Sequence, residues 1–78
     1  MRFFVFEDYR FLGTHHYRTI LIRTCATMEQ AQKVLVDLYL NRRDEVKKLK
    51  ATNNVKLKFF IMEEQPQYLA SHNEDETE

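Results

Sequence analysis

The sequence contains one glycine, one proline and one cysteine among its 78 residues, and it contains no tryptophan. A single cysteine excludes a small secreted scaffold held together by disulfide bonds, because such scaffolds need several cysteines. The single glycine excludes a collagen-like chain and a glycine-rich phosphate-binding loop. One unpaired cysteine suits a reducing compartment, so we expect a cytoplasmic protein.

Long apolar runs are also missing. The N-terminal run over residues 3–6 is interrupted by Glu7 and Asp8, and it is too short for the core of a signal peptide. No uncharged stretch approaches the roughly 20 residues of a membrane-spanning helix, so we expect no membrane partner. Hydrophobic residues nevertheless make up 44% of the chain. This proportion fits one small domain with one core.

Charge is distributed unevenly along the chain. The 12 basic and 12 acidic residues give a net charge of zero, but residues 73–78 hold four acids and no base. The other 72 residues therefore carry 12 bases against eight acids, a net charge of +4. This composition predicts a single domain over residues 1–66, followed by an acidic, disordered tail over residues 67–78.

Alternating β-branched and aromatic residues predict three strands, over residues 2–12, 17–26 and 55–62. Gly13 lies in a polar segment between the first two strands, which indicates a hairpin. If the hairpin closes at Gly13, Tyr9 faces Ile20 across it. The alternation fails at Glu7 and Asp8, where we expect a bulge or a bend.

A helix is predicted between the second and third strands. Residues 27–30, Thr-Met-Glu-Gln, form a capping box at its start, and Asn54 suits the left-handed position at its end. Apolar residues at three- and four-residue spacing form a stripe that Arg42 interrupts. Either the helix runs unbroken to about Lys50, or it kinks near Asn41 and its second half projects beyond the sheet.

These elements predict a small α+β domain with the element order β-β-α-β. The first two strands form the hairpin, and the helix returns the chain so that the third strand runs antiparallel to the first. The expected result is a three-stranded sheet of order 2-1-3 with one long helix on one face. This arrangement recurs in many unrelated proteins, so it identifies no function by itself.

A single helix leaves the second face of the sheet uncovered. The alternation places a candidate interface there: Phe4, Phe6, Tyr17, Leu21, Phe60 and Met62. Leu12 shares this face in the predicted pattern, together with the basic residues Arg10, Arg23, Lys56 and Lys58. Soluble monomers rarely expose so large an apolar patch, so we expect a second copy or a different protein to cover it. The alternative is that Tyr68 and Leu69 fold over it.

Residues 42–58 contain seven bases against two acids. Six of the bases form a candidate phosphate-binding ridge: Arg42, Arg43, Lys47, Lys50, Lys56 and Lys58. Such a ridge predicts nucleic-acid binding that weakens with salt, with the acidic tail as a competitor. The alternative is that the lysines near the helix end only offset the helix dipole.

Catalytic and metal-binding patterns are not evident in the sequence. His15 and His16 have no third ligand at a recognisable spacing, so we interpret them as a polar hairpin turn. Adjacent carboxylates such as Glu7 and Asp8 do not converge on a substrate, and we expect them to be solvated. Cys25 is predicted to be a small buried residue. We therefore expect no catalytic residue, no metal, no cofactor and no small-molecule substrate.

The sequence favours a small non-catalytic protein-interaction module, homodimeric through the uncovered sheet face. We expect a regulator, an adaptor or an inhibitor, of the kind that phages and accessory elements encode. The alternative hypothesis is a nucleic-acid-binding module that uses the basic ridge.

Overall fold

The computed structural model describes residues 1–65. Its elements are β1 (Phe3–Phe11), β2 (Tyr17–Cys25), α1 (Met28–Asn41), α2 (Arg43–Asn53) and β3 (Val55–Glu63). The strands form one sheet of order β2-β1-β3, in which β1 runs antiparallel to both neighbours. The α+β class, the hairpin and the strand order are confirmed. The predicted domain limit at residue 66 and the predicted tail over 67–78 lie outside the described residues.

The hairpin closes earlier than predicted. Phe11 donates its N–H to the carbonyl of His16 at 3.2 Å, and this pair sets the register of both strands. The Thr14 hydroxyl donates to the Phe11 carbonyl at 2.8 Å and accepts from the His16 N–H at 3.1 Å. Because these bonds hold a longer turn, Tyr9 pairs with Arg18, two residues earlier in β2 than predicted.

A single irregularity interrupts the pairing of β1 with β2. The register shifts between Val5 and Phe6, where Ile22 has no partner on β1. The prediction of a bulge or bend at Glu7-Asp8 is wrong, because both of these residues pair regularly with β2. The extra residue moves Arg23 to the helix side, where it lines a hollow with residues of α1. Arg23 therefore does not lie on the uncovered face.

Two helices replace the single long helix of the sequence prediction. Arg42 separates them with φ −113° and ψ 17°, outside the helical region. An unbroken helix over residues 28–53 would measure about 39 Å, which exceeds the roughly 30 Å length of a nine-residue strand. The break lets α2 turn and pack against β3, so the second half does not project beyond the sheet.

The predicted helix ends are confirmed, with one change of partner. The Thr27 side chain accepts a hydrogen bond from the Gln30 N–H at 3.2 Å, as expected of an N-cap. The Gln30 side-chain oxygen accepts from the Ala26 N–H at 3.1 Å, instead of from Thr27. Asn54 has φ 57°, the left-handed conformation that ends α2. Its carbonyl accepts from the Leu12 N–H at 3.0 Å, which fixes the end of α2 beside the hairpin turn.

The core lies between the helices and the sheet. Its buried hydrophobic residues are Val5, Cys25, Ala31, Val55, Leu57 and Phe59. Cys25 is therefore a small buried residue, as predicted. The Tyr39 hydroxyl donates to the Phe59 carbonyl at 3.0 Å and accepts from the Phe59 N–H at 3.2 Å. Since β3 is an edge strand, Tyr39 satisfies backbone groups that would otherwise stay unpaired at that edge.

Candidate functional site

The face of the sheet opposite the helices, called the open face below, is formed by alternate residues of the three strands. The helices contact the other face, where Val5 and Glu7 lie. Strand pairing arranges the open face in five rows, starting from the hairpin end. The rows are Lys56–Arg10–Tyr17, Lys58–Asp8–Thr19, Phe60–Phe6–Leu21, Met62–Phe4–Thr24 and Glu64–Arg2.

Five apolar side chains occupy the third and fourth rows and form one contiguous surface. This surface, called the apolar band, consists of Phe4, Phe6, Leu21, Phe60 and Met62. The rings of Phe6 and Phe60 stack with centroids 5.3 Å apart, and Phe4 lies 6.4 Å from Phe6. Leu21 is 50% exposed and Met62 is 54% exposed. The rings thus shield one another in part, while the two aliphatic side chains at the margins stay in water.

Tyr17, the sixth predicted interface residue, lies apart from the apolar band. It belongs to the first row, and the polar row of Lys58, Asp8 and Thr19 separates it from Leu21. The Arg10 guanidinium lies 4.7 Å from the centroid of its ring, a cation–π contact. The structure therefore brings five of the six predicted residues together and places Tyr17 in a basic region.

Asp8 lies at the centre of the open face and is only 1% exposed. The expectation that this carboxylate is solvated is wrong, because its neighbours cover it. The Thr19 hydroxyl donates to Oδ1 at 2.9 Å, and the Arg10 Nε donates to Oδ2 at 2.8 Å. Burial raises the pKa of Asp8, but these two bonds and the charges of Arg10 and Lys58 outweigh burial and lower it below 3.8.

The lowered pKa of Asp8 predicts a loss of stability in acid. A depressed folded-state pKa contributes stability above the unfolded-state value near 3.8, and this contribution disappears as the pH falls through the folded value. We expect Asp8→Asn to lower the free energy of unfolding by about 1–2 kcal/mol at neutral pH. Below about pH 5, we expect the free energy of unfolding of this variant to fall less steeply with pH than that of wild type. Urea denaturation across this pH range measures both effects. Asp37→Asn, at an exposed position of α1, is the control, and parallel profiles for wild type and Asp8→Asn contradict the assignment.

A second charged cluster lies on the helix side, where Glu7 is 6% exposed. The expectation that Glu7 is solvated is also wrong, because the Arg42 guanidinium forms a salt bridge with it. Arg42 Nη2 also donates to both oxygens of Glu45 at 2.7 and 2.8 Å and to the Tyr9 hydroxyl at 3.1 Å. The hydrogen bonds to Glu45 raise the pKa of Arg42 most, and those to Tyr9 and Glu7 raise it further. Partial burial lowers the pKa of Arg42 but does not outweigh these bonds. Burial raises the pKa of Tyr9 above 10.0.

The predicted phosphate-binding residues do not share one surface. Arg42 is engaged by two carboxylates at the corner between the helices. Three other candidates are exposed on α2: Arg43, Lys47 and Lys50. Lys56 and Lys58 belong to the open face, on the opposite side of the sheet. The structure thus divides the ridge into a helical part and a sheet part.

The sequence pattern did not predict the pairing of Glu7 with Arg42, although each residue interrupts an apolar pattern. Glu7 is the charged exception in the apolar register of β1, and Arg42 is the charged exception in the helical stripe. The two exceptions carry opposite charges, and buried charges need partners. Two oppositely charged exceptions, in elements that face each other, are therefore the sequence signal that indicates this pair.

His15 and His16 lie in the exposed hairpin turn. Across residues 1–65, no group of three or more His, Cys, Asp or Glu side chains is placed to hold a metal ion. None of the helices in this part of the chain has the length and apolar character needed to cross a membrane.

Comparisons with protein-family models, curated proteins and solved structures found no match to this chain.

Proposed function

We propose that the protein is a non-catalytic interaction module that forms a homodimer through the apolar band. The observation that supports this proposal is the contiguity of five apolar side chains on a face that the helices do not cover. Contact between two such faces removes apolar surface from water, which is worth roughly 25 cal/mol per Å². Soluble monomers rarely leave a patch of this kind exposed, so the band is best explained by a contact.

A second copy of the chain matches the charges of the open face. Consider a two-fold axis that lies in the plane between the two facing sheets, at right angles to the strands, and passes between the rows of Phe60 and Met62. Rotation by 180° about this axis reverses the order of the rows in the second copy, and the resulting contact is self-complementary. It places the apolar bands against each other and Lys58 of each copy opposite Glu64 of its partner. Opposite charges then flank the apolar contact at both ends.

The dimensions of the sheet favour a weak, reversible dimer. Nine-residue strands span about 30 Å, and three strands are about 14 Å wide, so the footprint is about 400 Å² per copy. A standard stable interface buries about 800 Å² per partner. We therefore expect dissociation in the micromolar range. A face that self-associates weakly stays available to another protein, which suits a regulator, an adaptor or an inhibitor.

Sedimentation over a range of micromolar concentrations tests the proposal. The apparent mass is expected to rise with concentration from 9.5 kDa towards twice that value. Binding of an apolar dye is expected to fall over the same range, because the dimer covers the band. A monomer at every concentration, without dye binding, overturns the proposal.

Nucleic-acid binding has less support, since Arg42 is engaged and the remaining basic residues lie on two faces.

A further inference from the structure

The described chain ends beside the apolar band. Gln65 lines a hollow at this end of the open face, together with Phe4 and Met62. Thirteen residues follow it, from 66 to 78. The first of them is a proline, which cannot donate a hydrogen bond to continue β3. Tyr68 and Leu69 follow after one glutamine, Gln67, and are the first large apolar residues beyond the hollow.

The length of this segment matches the length of the open face. An extended chain covers up to about 3.3 Å per residue, so Leu69 reaches about 13 Å from Gln65. This reach exceeds the spacing of about 10 Å between two packed β-layers, so the chain can rise above the sheet and reverse its direction over the Met62 row. The acids at 74–78 reach about 16–30 Å beyond Leu69. The rows of Lys58 and Lys56 lie about 13 and 20 Å from the Met62 row, within that reach.

The charges of the segment and of the face are complementary. Residues 74–78 contain four acids and no base. The two rows nearest the hairpin carry Lys56, Lys58 and Arg10 against the single carboxylate of Asp8. Both Asp8 oxygens already accept hydrogen bonds, from Thr19 and from Arg10. Lys56 and Lys58 are exposed and thus able to meet an acidic segment laid along the face.

We propose that the open face binds residues 67–78 of the same chain. Tyr68 and Leu69 cover the apolar band, and the acidic residues lie over Lys56 and Lys58. This inference rests on the proposed function and deepens it, since the segment competes with the second copy for one surface. Because the face must be free on both copies, competition lowers the apparent dimer affinity by the square of the fraction of chains whose face is free. Salt screens the acid–lysine contacts and therefore releases the face.

The full-length variant Tyr68→Ser/Leu69→Ser tests the binding without changing any charge. Backbone amide resonances of Phe60 and Met62, recorded at a concentration where the protein is monomeric, are expected to shift relative to wild type. The dimer is expected to become about tenfold tighter, because the face is free more often. The matched control Gln67→Ser/Asn73→Ser changes neither an apolar nor an acidic residue of the segment, and we expect it to behave like wild type.

A second full-length variant, Glu74→Gln/Asp75→Asn/Glu76→Gln/Glu78→Gln, tests the charge contacts. It is expected to shift the Lys56 and Lys58 amide resonances at low salt and to match wild type at high salt. If neither variant moves the open-face resonances of the monomer, the binding of this segment is overturned, whatever the dimer does. If the resonances move while every chain stays monomeric, the segment binds as proposed and the homodimer proposal fails instead.

Discussion

Replacing Arg42 by methionine is expected to lower the free energy of unfolding by about 3 kcal/mol, because Glu7 then stays buried without a counter-charge. The side chains of Glu7 and Arg42 are 8% and 24% exposed, so the loss lies at the lower end of the range for buried pairs. A chain of this length has a total stability of about 4–12 kcal/mol. The variant therefore loses a large share of its stability, and urea denaturation measures it.

The double variant Glu7→Leu/Arg42→Met separates the charge from the packing. Leucine suits the apolar register of β1 and methionine suits the helical stripe, so we expect stability to return to within about 1 kcal/mol of wild type. Arg43→Met is the matched control, because this neighbouring arginine is exposed, and it is expected to change stability by less than about 0.5 kcal/mol. A double variant as unstable as the single variant contradicts the assignment to the ion pair.

Local patterns were sufficient to predict most of the elements. The alternation from Val55 to Ile61 predicted a strand with one buried side, and Val55, Leu57 and Phe59 are buried. Thr27 and Asn54 marked the ends of the helical region because capping depends on residues only a few positions apart. Chain direction predicted that β3 runs antiparallel to β1, and the apolar residues on both sides of β1 over residues 3–6 predicted that this strand lies in the middle.

The register and the helix break depend on contacts that local patterns do not contain. The hairpin register follows from the side chain of Thr14, which bonds to the backbone on both sides of the turn. The break at Arg42 follows from the length of the sheet and from a carboxylate 35 positions earlier in the chain. The Thr14 bonds are local, but a pattern of apolar and polar residues does not specify them, and the contact of Arg42 with Glu7 lies outside any window of ten residues.

Alternation along the strands also predicted part of the candidate site. A period of two residues places Phe4 and Phe6 on one side of β1 and Phe60 and Met62 on one side of β3, and the pairing of the two strands decides that these sides share a face. The same pattern grouped Tyr17 with them, although pairing places it two rows away. The burial of Asp8 was not predictable, because it depends on cross-strand neighbours that only the observed register brings together.

Replacing Phe60 by aspartate is expected to weaken the proposed dimer about 30- to 1,000-fold, a cost of about 2–4 kcal/mol. Phe60 occupies the third row beside Phe6, where a partner subunit would desolvate the new carboxylate. In the monomer the same position is half-buried at the surface, so the carboxylate reaches water. The helical circular dichroism signal is therefore expected to persist while sedimentation shows the loss of the dimer.

The choice of controls decides whether this result identifies the open face. Met62→Asp repeats the test at a position that is 54% exposed, where the cost to the monomer fold is smaller. Val36→Asp introduces the same charge at an equally exposed position of α1, on the helical side of the molecule, and is expected to leave the dimer intact. If Phe60→Asp and Met62→Asp dimerise as tightly as Val36→Asp, the copies do not meet through the apolar band. Dissociation by the first two variants alone assigns the contact to this band, because only there does the new carboxylate become buried against a second copy.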